Sequence, residues 1–575
     1  MLKDKPLPIG IDNFKELITR GYYYVDKTLL IKDLLDLKGK VNLFTRPRRF
    51  GKTLNMSMLQ HFFEKPEKVN FATGEKESIP GREETCDNLF DGLNISNAGE
   101  SYTKHMGQYP VINLTLKSGK QRDFALSYGC LKREIANEFK RHSYILEDKA
   151  LTTQYEDYYA LMMRKADDTE YATAIRFLSE CLYTYYKKPV IILIDEYDVS
   201  LESAYFGGFY QDMVGFMRSV LESALKTNPY LEFAVLTGCL RIAKESIFTG
   251  LNNLKIFSVL SRNYSEYFGF TESEVDQMLV YYGMMDKKPV VKDWYNGYLF
   301  GDTEIYNPWS IIQYVYDIHF GREEIAKSYW STTSSNQIVR DLLDYVADPV
   351  TKRDLETLMQ GGYIEKKAYE DVTYGELKDT PDHLWNFLFF TGYLKKEGEY
   401  VNKSGRLFLK LTIPNKEIKL IFEDKIFVWF QNAINQENRE ILFQAILSLD
   451  AETVQEELNR LLMVSVSYFD HKEEFYHGFL LGCLSGMKHF ITKSNRESGD
   501  GRSDILLWHE DYRKEAIILE LKFTDELNEL ESKCEEALAQ IEKKQYDAEF
   551  KAEGYKTILK YGIAFYKKSC LVKTI

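Results

Sequence analysis

The sequence predicts an α/β protein with more than one domain, and three observations lead to this prediction. The chain has 575 residues, which is too long for one ordinary hydrophobic core. The apolar run 190–194 is continuous, which is typical of a strand buried on both faces of a parallel sheet. Residues 501–522 indicate two strands joined by a charged turn. We therefore expect a parallel sheet in the N-terminal part and a second α/β domain in the C-terminal part.

The composition is that of a globular protein, because 44% of the residues are hydrophobic and 28% are charged. The net charge of −13 opposes permanent, non-specific adhesion to nucleic acid or anionic membrane, although it permits a local basic groove. The seven cysteines are scattered and never spaced as C-x-x-C, which argues against a disulfide framework or structural zinc site. The first residues lack an apolar signal core, and the apolar runs are too short to cross a bilayer. We expect a cytoplasmic protein without a membrane partner.

A Gly-Lys-Thr motif at 51–53 follows the predicted strand 40–44 and precedes a predicted helix. This is the setting of a phosphate-binding loop, in which backbone amides and a helix N-terminus surround the phosphates. Lys52 is then expected to contact the β- and γ-phosphates of ATP, and the Thr53 hydroxyl to bind Mg²⁺. Arg46 stands where the usual motif begins with glycine, so a basic turn before an ordinary helix is the alternative.

Two acidic residues, Asp195 and Glu196, follow the buried run 190–194. Carboxylates at the carboxyl end of a parallel strand lie where open α/β sheets bind their ligands. We expect Asp195 to hold the magnesium shell and Glu196 to orient and polarise the attacking water. The alternative is a core strand followed by an acidic turn.

A third predicted strand, within 231–241, carries Thr237 near its end and is followed by Arg241. A polar side chain there suits a sensor of the γ-phosphate. Arg241 is a candidate phosphate contact, either in the same subunit or across an interface in a homo-oligomer. A helix cap and a surface cation are the respective alternatives.

Four segments, in order, resemble an AAA-ATPase-like bacterial family with a C-terminal nuclease-like domain. They are 6–35, RPRRFGKT at 46–53, LIDEYD at 193–198, and 246–259. The family writes its loop roughly as G-P-R-R-x-G-K-T, so this sequence departs from it at Arg46, a residue that tolerates positive φ poorly. The resemblance implies that the loop residues bind ATP and that the segment 24–28 lies near the adenine; a capped helix start is the alternative for that segment. The implied nucleotide-binding residues are Arg48, Arg49, Gly51, Lys52, Thr53, Asp195, Thr237 and Arg241.

The middle of the chain is expected to be mainly helical. Asn296-Gly297 is a hairpin-turn signal between aromatic residues, and Asn307-Pro308 is a helix-start signal. Predicted helices within 335–394, followed by a strand pattern at 399–415, suit a winged-helix-like module that contacts DNA or another subunit. A plain α+β connector fits the same pattern.

The C-terminal strands carry a second group of polar residues. Asp504 lies on the first strand, and Glu520 and Lys522, two residues apart, share one face of the second. A hairpin brings all three together. Two carboxylates form a hard oxygen site for Mg²⁺, and a lysine steadies the attacking water or the scissile phosphate.

These residues match the PD-(D/E)XK nuclease signature. The resemblance adds Glu474 as the acid of the first core helix, and Gln540 and Tyr546 on a downstream helix. His477 is expected to be structural. A nuclease fold retained for binding alone is the alternative.

The sequence therefore predicts a P-loop NTPase domain at 1–260, a helical and winged-helix-like region at 261–435, and a PD-(D/E)XK nuclease-like domain at 436–575. The leading hypothesis is an ATP-controlled, Mg²⁺-dependent nuclease acting on nucleic acid, with DNA preferred, and the resemblance implies a role in defence or mobile-element biology. One rival is a nucleotide-switched scaffold with a silent nuclease fold. Another is an ATPase motor that grips nucleic acid.

Overall fold

Two units make up the chain in the computed structural model, and each consists of two separate segments. One contains Met1–Ile338 and Tyr363–Leu420, and the other contains Val339–Gly362 and Ile421–Ile575. The structure describes residues 4–69, 76–79, 89–240, 247–248, 251–321, 325–330, 348–370, 373–376, 379–436, 439–463, 473–484, 487–498 and 501–575.

The first unit is built around a parallel β-sheet. The described strands of the first unit, in all its sheets, are β1 (Val41–Thr45), β2 (Glu67–Val69), β3 (Lys76–Ser78), β4 (Val111–Thr115), β5 (Val190–Asp195), β6 (Leu231–Gly238), β7 (Leu254–Phe257), β8 (Phe270–Thr271), β9 (Tyr298–Phe300), β10 (Thr303–Tyr306), β11 (Ile364–Lys367), β12 (Lys395–Val401) and β13 (Leu407–Thr412). The central sheet has the order β4-β5-β6-β1-β7, and all its pairings are parallel. Every residue of β1 and β5 is buried, as expected for strands covered on both faces. The predicted parallel α/β sheet is confirmed.

Both units contain α-helices. The α-helices of the described residues are α1 (Phe14–Thr19), α2 (Leu29–Leu37), α3 (Lys52–Phe63), α4 (Glu100–Thr103), α5 (Phe124–Arg141), α6 (Tyr155–Met162), α7 (Asp168–Tyr171), α8 (Ala174–Tyr186), α9 (Val199–Gly207), α10 (Tyr210–Leu225), α11 (Glu272–Tyr281), α12 (Lys288–Tyr295), α13 (Pro308–His319), α14 (Pro349–Met359), α15 (Pro381–Phe390), α16 (Lys416–Gln436), α17 (Glu440–Leu447), α18 (Ala451–Leu462), α19 (Glu473–Leu484), α20 (Leu530–Lys543) and α21 (Ala548–Glu553). In the part of the chain that the structure describes, no helix is long and apolar enough to cross a membrane.

The loop between β1 and α3 contains two residues in the left-handed conformation, Arg49 and Gly51. Gly51 is the N-cap of α3 and adopts a left-handed conformation with φ 79°. Arg49 is also left-handed, with φ 71°, whereas Arg46 is not among the residues with positive φ. The arginine in place of the first glycine therefore carries no left-handed strain, and the concern raised by its position in the motif does not apply.

One turn prediction is wrong. The hairpin of β9 and β10 turns at Gly301 and Asp302, while Asn296 is the C-cap of α12. Gly297 still needs to be glycine, because it has φ 108° and a Cβ there would collide with the Pro414 carbonyl. The glycine signal therefore marked a helix end and a close backbone approach. The helix start at Asn307-Pro308 is confirmed, with the Asn307 side chain accepting the Trp309 amide at 2.9 Å.

An antiparallel sheet of order β11-β13-β12 completes the first unit. Helix α15 precedes the hairpin formed by β12 and β13, so the predicted strand pattern at 399–415 is confirmed. Strand β11 adds a third strand that the sequence did not indicate.

The second unit contains a mixed sheet. Its strands are β14 (Phe490–Ser498), β15 (Gly501–His509), β16 (Glu515–Phe523), β17 (Thr557–Tyr566) and β18 (Ser569–Thr574), in that order across the sheet. Only β16 and β17 pair in parallel; the other neighbours are antiparallel. Helix α20 packs on β17 closely, because a Cβ on Gly562 would lie 2.6 Å from the Cys534 carbonyl oxygen.

Candidate functional site

A cavity of about 390 Å³ is lined by the phosphate-binding motif Gly51-Lys52-Thr53 and by Glu196. A cavity of this size, with both polar and apolar lining, is typical of small-molecule sites. Aromatic and aliphatic residues from the N-terminal segment, β8 and α13 form other parts of its wall. These are Tyr23, Tyr24, Val25, Phe270, Trp309 and Ile312.

Asp195 links the phosphate-binding loop to β6. One of its carboxylate oxygens accepts a hydrogen bond from the Thr53 hydroxyl at 2.6 Å, and the other accepts one from the Thr237 hydroxyl. The Glu196 amide donates to Thr237 Oγ1 at 3.4 Å. The structure thus brings together four residues that the sequence singled out on three separate segments. Their roles towards ATP stay predictions.

Lys52 is held inside its own loop. Its Nζ donates to the carbonyl oxygens of Arg46 at 3.0 Å and Pro47 at 2.9 Å, and lies 3.7 Å from Cys239 Sγ. The ammonium is therefore already positioned at the start of α3, and phosphate oxygens would compete with backbone carbonyls for its protons.

Glu196 directly follows β5 and lines the cavity. Burial, and secondly the neighbouring Asp195 carboxylate, raise the pKa of Glu196. The residue has φ 53°, a conformation that is rare for a side chain larger than glycine and is often found at functional sites.

Arg46 does not face the phosphates. Its guanidinium is fully buried and donates to the carbonyl oxygens of Thr45 at 2.9 Å and Phe257 at 2.7 Å. The rings of Phe268 and Phe300 lie 5.3 and 5.1 Å from it. Burial lowers its pKa to about 9, so it stays charged at neutral pH. Arg46 therefore fastens the end of β1 to β7 and does not contribute charge to the mouth of the loop.

Arg48 and Arg49 point in different directions. Arg48 forms an ion pair with Glu202, and the Arg49 guanidinium lies 4.5 Å from the ring centre of Trp309. Both arginines line the cavity, but each already has a partner.

The segment 24–28 contributes to the cavity through Tyr24, Val25 and Lys27. Lys27 is buried, and its Nζ contacts both carboxylate oxygens of Glu274 at 2.6 Å. Asp26 accepts the Thr28 amide at 2.8 Å just before α2, and the N-cap Thr28 makes no side-chain capping hydrogen bond. The position of this segment near an adenine stays a prediction.

Asp198 is a buried residue that the sequence analysis missed. One of its carboxylate oxygens accepts the amides of Cys239 and Leu240 at 2.7 and 3.0 Å, which shapes the chain leaving β6. Burial raises its pKa. Its position as the last acid of the LIDEYD stretch was the available signal.

Two predicted residues cannot be placed in the site. Arg241 lies outside the described residues. Glu474 lies on α19, but only the backbone of that position is described.

In the second unit, the predicted nuclease residues converge. Ile505 of β15 pairs with Leu519 of β16 in antiparallel register. Asp504 and Glu520, the adjacent residues on the two strands, therefore lie opposite each other. The Asp504 amide donates to Glu520 Oε2 at 3.4 Å, and Asp504 Oδ2 accepts the Leu521 amide at 2.9 Å. The two carboxylates are therefore neighbours on the sheet.

Helix α20 completes this group through Gln540. The Gln540 amide nitrogen donates to Glu520 and, at 3.2 Å, to the Tyr546 hydroxyl. Its carbonyl oxygen accepts Lys522 Nζ at 2.8 Å. The glutamine thus holds Glu520 and Lys522 in a fixed relation. The Nε2 atom of His477 lies 3.0 Å from the Asp504 backbone carbonyl oxygen.

Glu520 has an unusual electrostatic environment. It is 1% exposed, and this burial, followed by the Asp504 charge, raises its pKa to about 7. The Lys522 ammonium lies 3.6 Å from a Glu520 carboxylate oxygen, and its charge partly offsets the rise in the pKa of Glu520. A divalent cation would relieve the repulsion between the two carboxylates.

Both sites offer oxygen donors that fit Mg²⁺, which prefers carboxylates and water and keeps part of its hydration shell. In the first unit these are the Thr53 hydroxyl and Asp195, and in the second unit Asp504 and Glu520. Among the described residues, no three His, Cys, Asp or Glu side chains form a closed metal cluster.

Comparisons with known proteins give matches to two parts of the chain. Residues 8–248 match the family model described as Predicted AAA-ATPase, and residues 471–575 match the PD-(D/E)XK nuclease superfamily. The uncharacterized protein in the vnfD 5' region of Azotobacter chroococcum mcd 1 is 27% identical over 342 residues. That match covers 59% of this chain and 56% of the relative, so the chain spans little more than half of the relative's length. No solved structure matches the chain significantly.

Residues 8–248 are thus similar to AAA-ATPase-like domains and residues 471–575 to the PD-(D/E)XK nuclease superfamily, which is the architecture that the motifs predict.

Proposed function

We propose that this protein is an ATP-controlled nuclease: the first unit binds and hydrolyses Mg-ATP, and the nuclease-like domain cleaves phosphodiester bonds of nucleic acid, preferably DNA. The observation that carries the proposal is that hydrogen bonds join Thr53, Asp195 and Thr237 in the first unit. In the second unit they join Asp504, Glu520, Lys522 and Gln540.

For ATP hydrolysis, the support comes from the Thr53–Asp195–Thr237 connection beside Lys52. Lys52 binds the β- and γ-phosphates in exchange for its loop carbonyls. Glu196, with its raised pKa, accepts the proton of the attacking water more readily than an exposed glutamate would. The aromatic lining that includes Tyr24 and Trp309 offers contact area for a base.

For phosphodiester cleavage, the support comes from the neighbouring carboxylates and the lysine. Asp504 and Glu520 would hold the cation, while Lys522, fixed by Gln540, orients the attacking water or the scissile phosphate. Mg²⁺ bound at either site would polarise a phosphoryl oxygen and lower the pKa of bound water. Arg241 remains a candidate phosphate contact, and Glu474, the acid of the first core helix, remains a candidate catalytic residue.

Control of one activity by the other is supported by the chain path. Trp309 lines the cavity, and the hydroxyl of the next residue, Ser310, donates to Glu417 at 2.8 Å. Glu417 is in the first turn of α16, and the chain passes from the first unit into the second within this helix. Nucleotide binding at α13 therefore has a mechanical route to α16.

The proposal retains the division into domains at 1–260, 261–435 and 436–575, a cytoplasmic setting, and a role in defence or mobile-element biology. It also retains a homo-oligomer as an arrangement to be tested.

The first experiment measures phosphate release and cleavage of labelled DNA and RNA by the full chain, with and without Mg²⁺. Lys52→Ala is expected to abolish ATP turnover while leaving the nuclease domain folded. Asp504→Ala and Glu520→Ala are expected to abolish cleavage while leaving ATP turnover. Each variant is thus the control for the other activity.

Three results would redirect the proposal. ATP turnover with no metal-dependent cleavage of any substrate would favour a nucleotide-switched scaffold. Stimulation of turnover by DNA without cleavage would favour a motor. Cleavage by Asp504→Ala at the wild-type rate would overturn the nuclease assignment.

A further inference from the structure

Two lysines that no motif includes lie at the edge of the sheet where Asp195 ends β5. Strand β4 pairs with β5 so that Thr115 is opposite Asp195, and the next amide, of Leu116, donates to the Asp195 carbonyl at 3.0 Å. The chain then forms a 3₁₀ turn, Lys117–Gly119, followed by Lys120. The turn therefore leaves the sheet immediately beside Asp195 and Glu196.

This turn is fixed in position by its glycine. The Gly119 carbonyl accepts a hydrogen bond from the Ser127 hydroxyl at 2.6 Å. A Cβ on Gly119 would lie 2.9 Å from the Ser200 Cβ and 3.0 Å from a Leu131 methyl carbon. The backbone between the lysines is therefore packed against α5 and α9, which holds both lysines at a defined place.

The side chains of Lys117 and Lys120 line the same cavity as Lys52, Thr53 and Glu196. Both residues are exposed, and across the described ranges neither ammonium group has an ion-pair partner. They differ in this from Arg48 and Arg49, which pair with Glu202 and stack on Trp309. The Lys117 charge also opposes the rise in the pKa of Glu196, which burial dominates.

The chemistry of phosphoryl transfer needs cations at this place. The γ-phosphoryl group carries its charge on three equatorial oxygens, and catalysis comes mainly from positioning and electrostatic stabilisation. A cation on a fixed backbone that has no ion-pair partner supplies this stabilisation without first breaking an ion pair. Lys52 approaches from the loop side, and the lysines of the turn approach from the side of Glu196.

We propose that Lys117 and Lys120 contact the terminal phosphate of ATP and supply, from the same chain, the positive charge that other ATPases receive from a neighbouring subunit. This inference rests on the proposed ATP hydrolysis. In the reaction, the water oxygen bonds to the γ-phosphorus, its proton passes to Glu196, and the bond from the γ-phosphorus to the bridging oxygen breaks. The products are ADP and inorganic phosphate.

The test uses the full chain with Lys117→Ala, Lys120→Ala and the double variant, and Lys149→Ala as a matched exposed lysine that does not line the cavity. Phosphate release and binding of a fluorescent ADP analogue are measured. We expect kcat to fall at least tenfold in the double variant, ADP affinity to stay within twofold, and Lys117→Arg to retain more activity than Lys117→Ala. Lys149→Ala is expected to match the wild type.

A mixing experiment decides whether the lysines act within one chain. The double lysine variant is mixed with Glu196→Gln, so that each chain lacks one part of the site. Action within one chain predicts no recovery of turnover, whereas recovery would overturn it. Wild-type kcat in the double variant, with Lys52→Ala inactive, would overturn the inference alone. If every variant, including Lys52→Ala, keeps its ATP turnover, the proposed ATP site itself is overturned.

Discussion

Enlarging Gly562 tests whether the contact between α20 and the nuclease sheet positions the candidate catalytic group. Gly562 pairs with Glu520 in the parallel register of β16 and β17. A Cβ at this position would lie 2.6 Å from the Cys534 carbonyl oxygen and 2.8 Å from the Leu538 Cγ. Ordinary carbon–oxygen contacts are about 3.4 Å, so Gly562→Ala must displace α20 by roughly 0.8 Å.

The displacement has two expected consequences. Overpacking of this kind costs about 1–3 kcal/mol of unfolding free energy. Because α20 carries Gln540, which bonds both Glu520 and Lys522, the shift also disturbs the candidate site. A misplacement near 1 Å reduces catalysis by about 100-fold in unfavourable cases, and we expect cleavage to fall at least tenfold. ATP turnover, which uses the first unit, is expected to stay at the wild-type level.

The assay compares Gly562→Ala with Gly482→Ala, a control on α19 in the same unit. A Cβ on Gly482 has no atom within 4 Å, so this substitution should not destabilise the protein and removes a flexible residue from a helix. Urea denaturation gives the free energies, and labelled DNA gives the cleavage rates. Wild-type stability and cleavage in Gly562→Ala would refute the packing argument.

Three further predictions concern the first unit. Arg46→Gly restores the usual motif but should lower the free energy of unfolding by at least about 2 kcal/mol, because it leaves the Phe257 carbonyl unpaired; urea denaturation measures this, and an unchanged midpoint would contradict it. Thr237→Val should lower kcat for ATP about tenfold with little change in ADP affinity, since it removes a hydroxyl donor to Asp195; an unaltered kcat would exclude a role for that hydroxyl. Burial raises the pKa of Glu417 to about 7, so the folded state holds its proton and stability should fall as pH rises from about 4.5 through 7; Glu417→Gln should flatten this dependence, and parallel pH profiles would argue against it.

The motifs predicted the α/β class and the residues that meet in each site, because their strands and turns are set by local patterns. The apolar run before Asp195 could only be a buried strand, and the two-residue spacing of Glu520 and Lys522 fixed their shared face. The residues that contact these side chains in the folded protein were harder to predict from the sequence. The hydrogen bond of Gln540 to Glu520 depends on how α20 packs, and only the resemblance pointed to Gln540.

Arg46 shows why the remaining features could not be predicted. Its place in the motif suggested a residue at the mouth of the loop, but its side chain reaches the carbonyl of Phe257, far away in the sequence. Similarly, Gly297 has the sequence of a hairpin turn, and its conformation is set by the approach of Pro414. Such contacts depend on tertiary packing, which no local pattern encodes.

Whether nucleotide controls cleavage is tested by comparing three proteins side by side. Mg²⁺-dependent cleavage of labelled DNA is followed with and without ATP, using the wild type, Lys52→Ala and Asp504→Ala. We expect the wild type to cleave at a rate that changes with ATP, Lys52→Ala to cleave without any response to ATP, and Asp504→Ala not to cleave. Equal cleavage by all three proteins, regardless of ATP, would contradict this expectation.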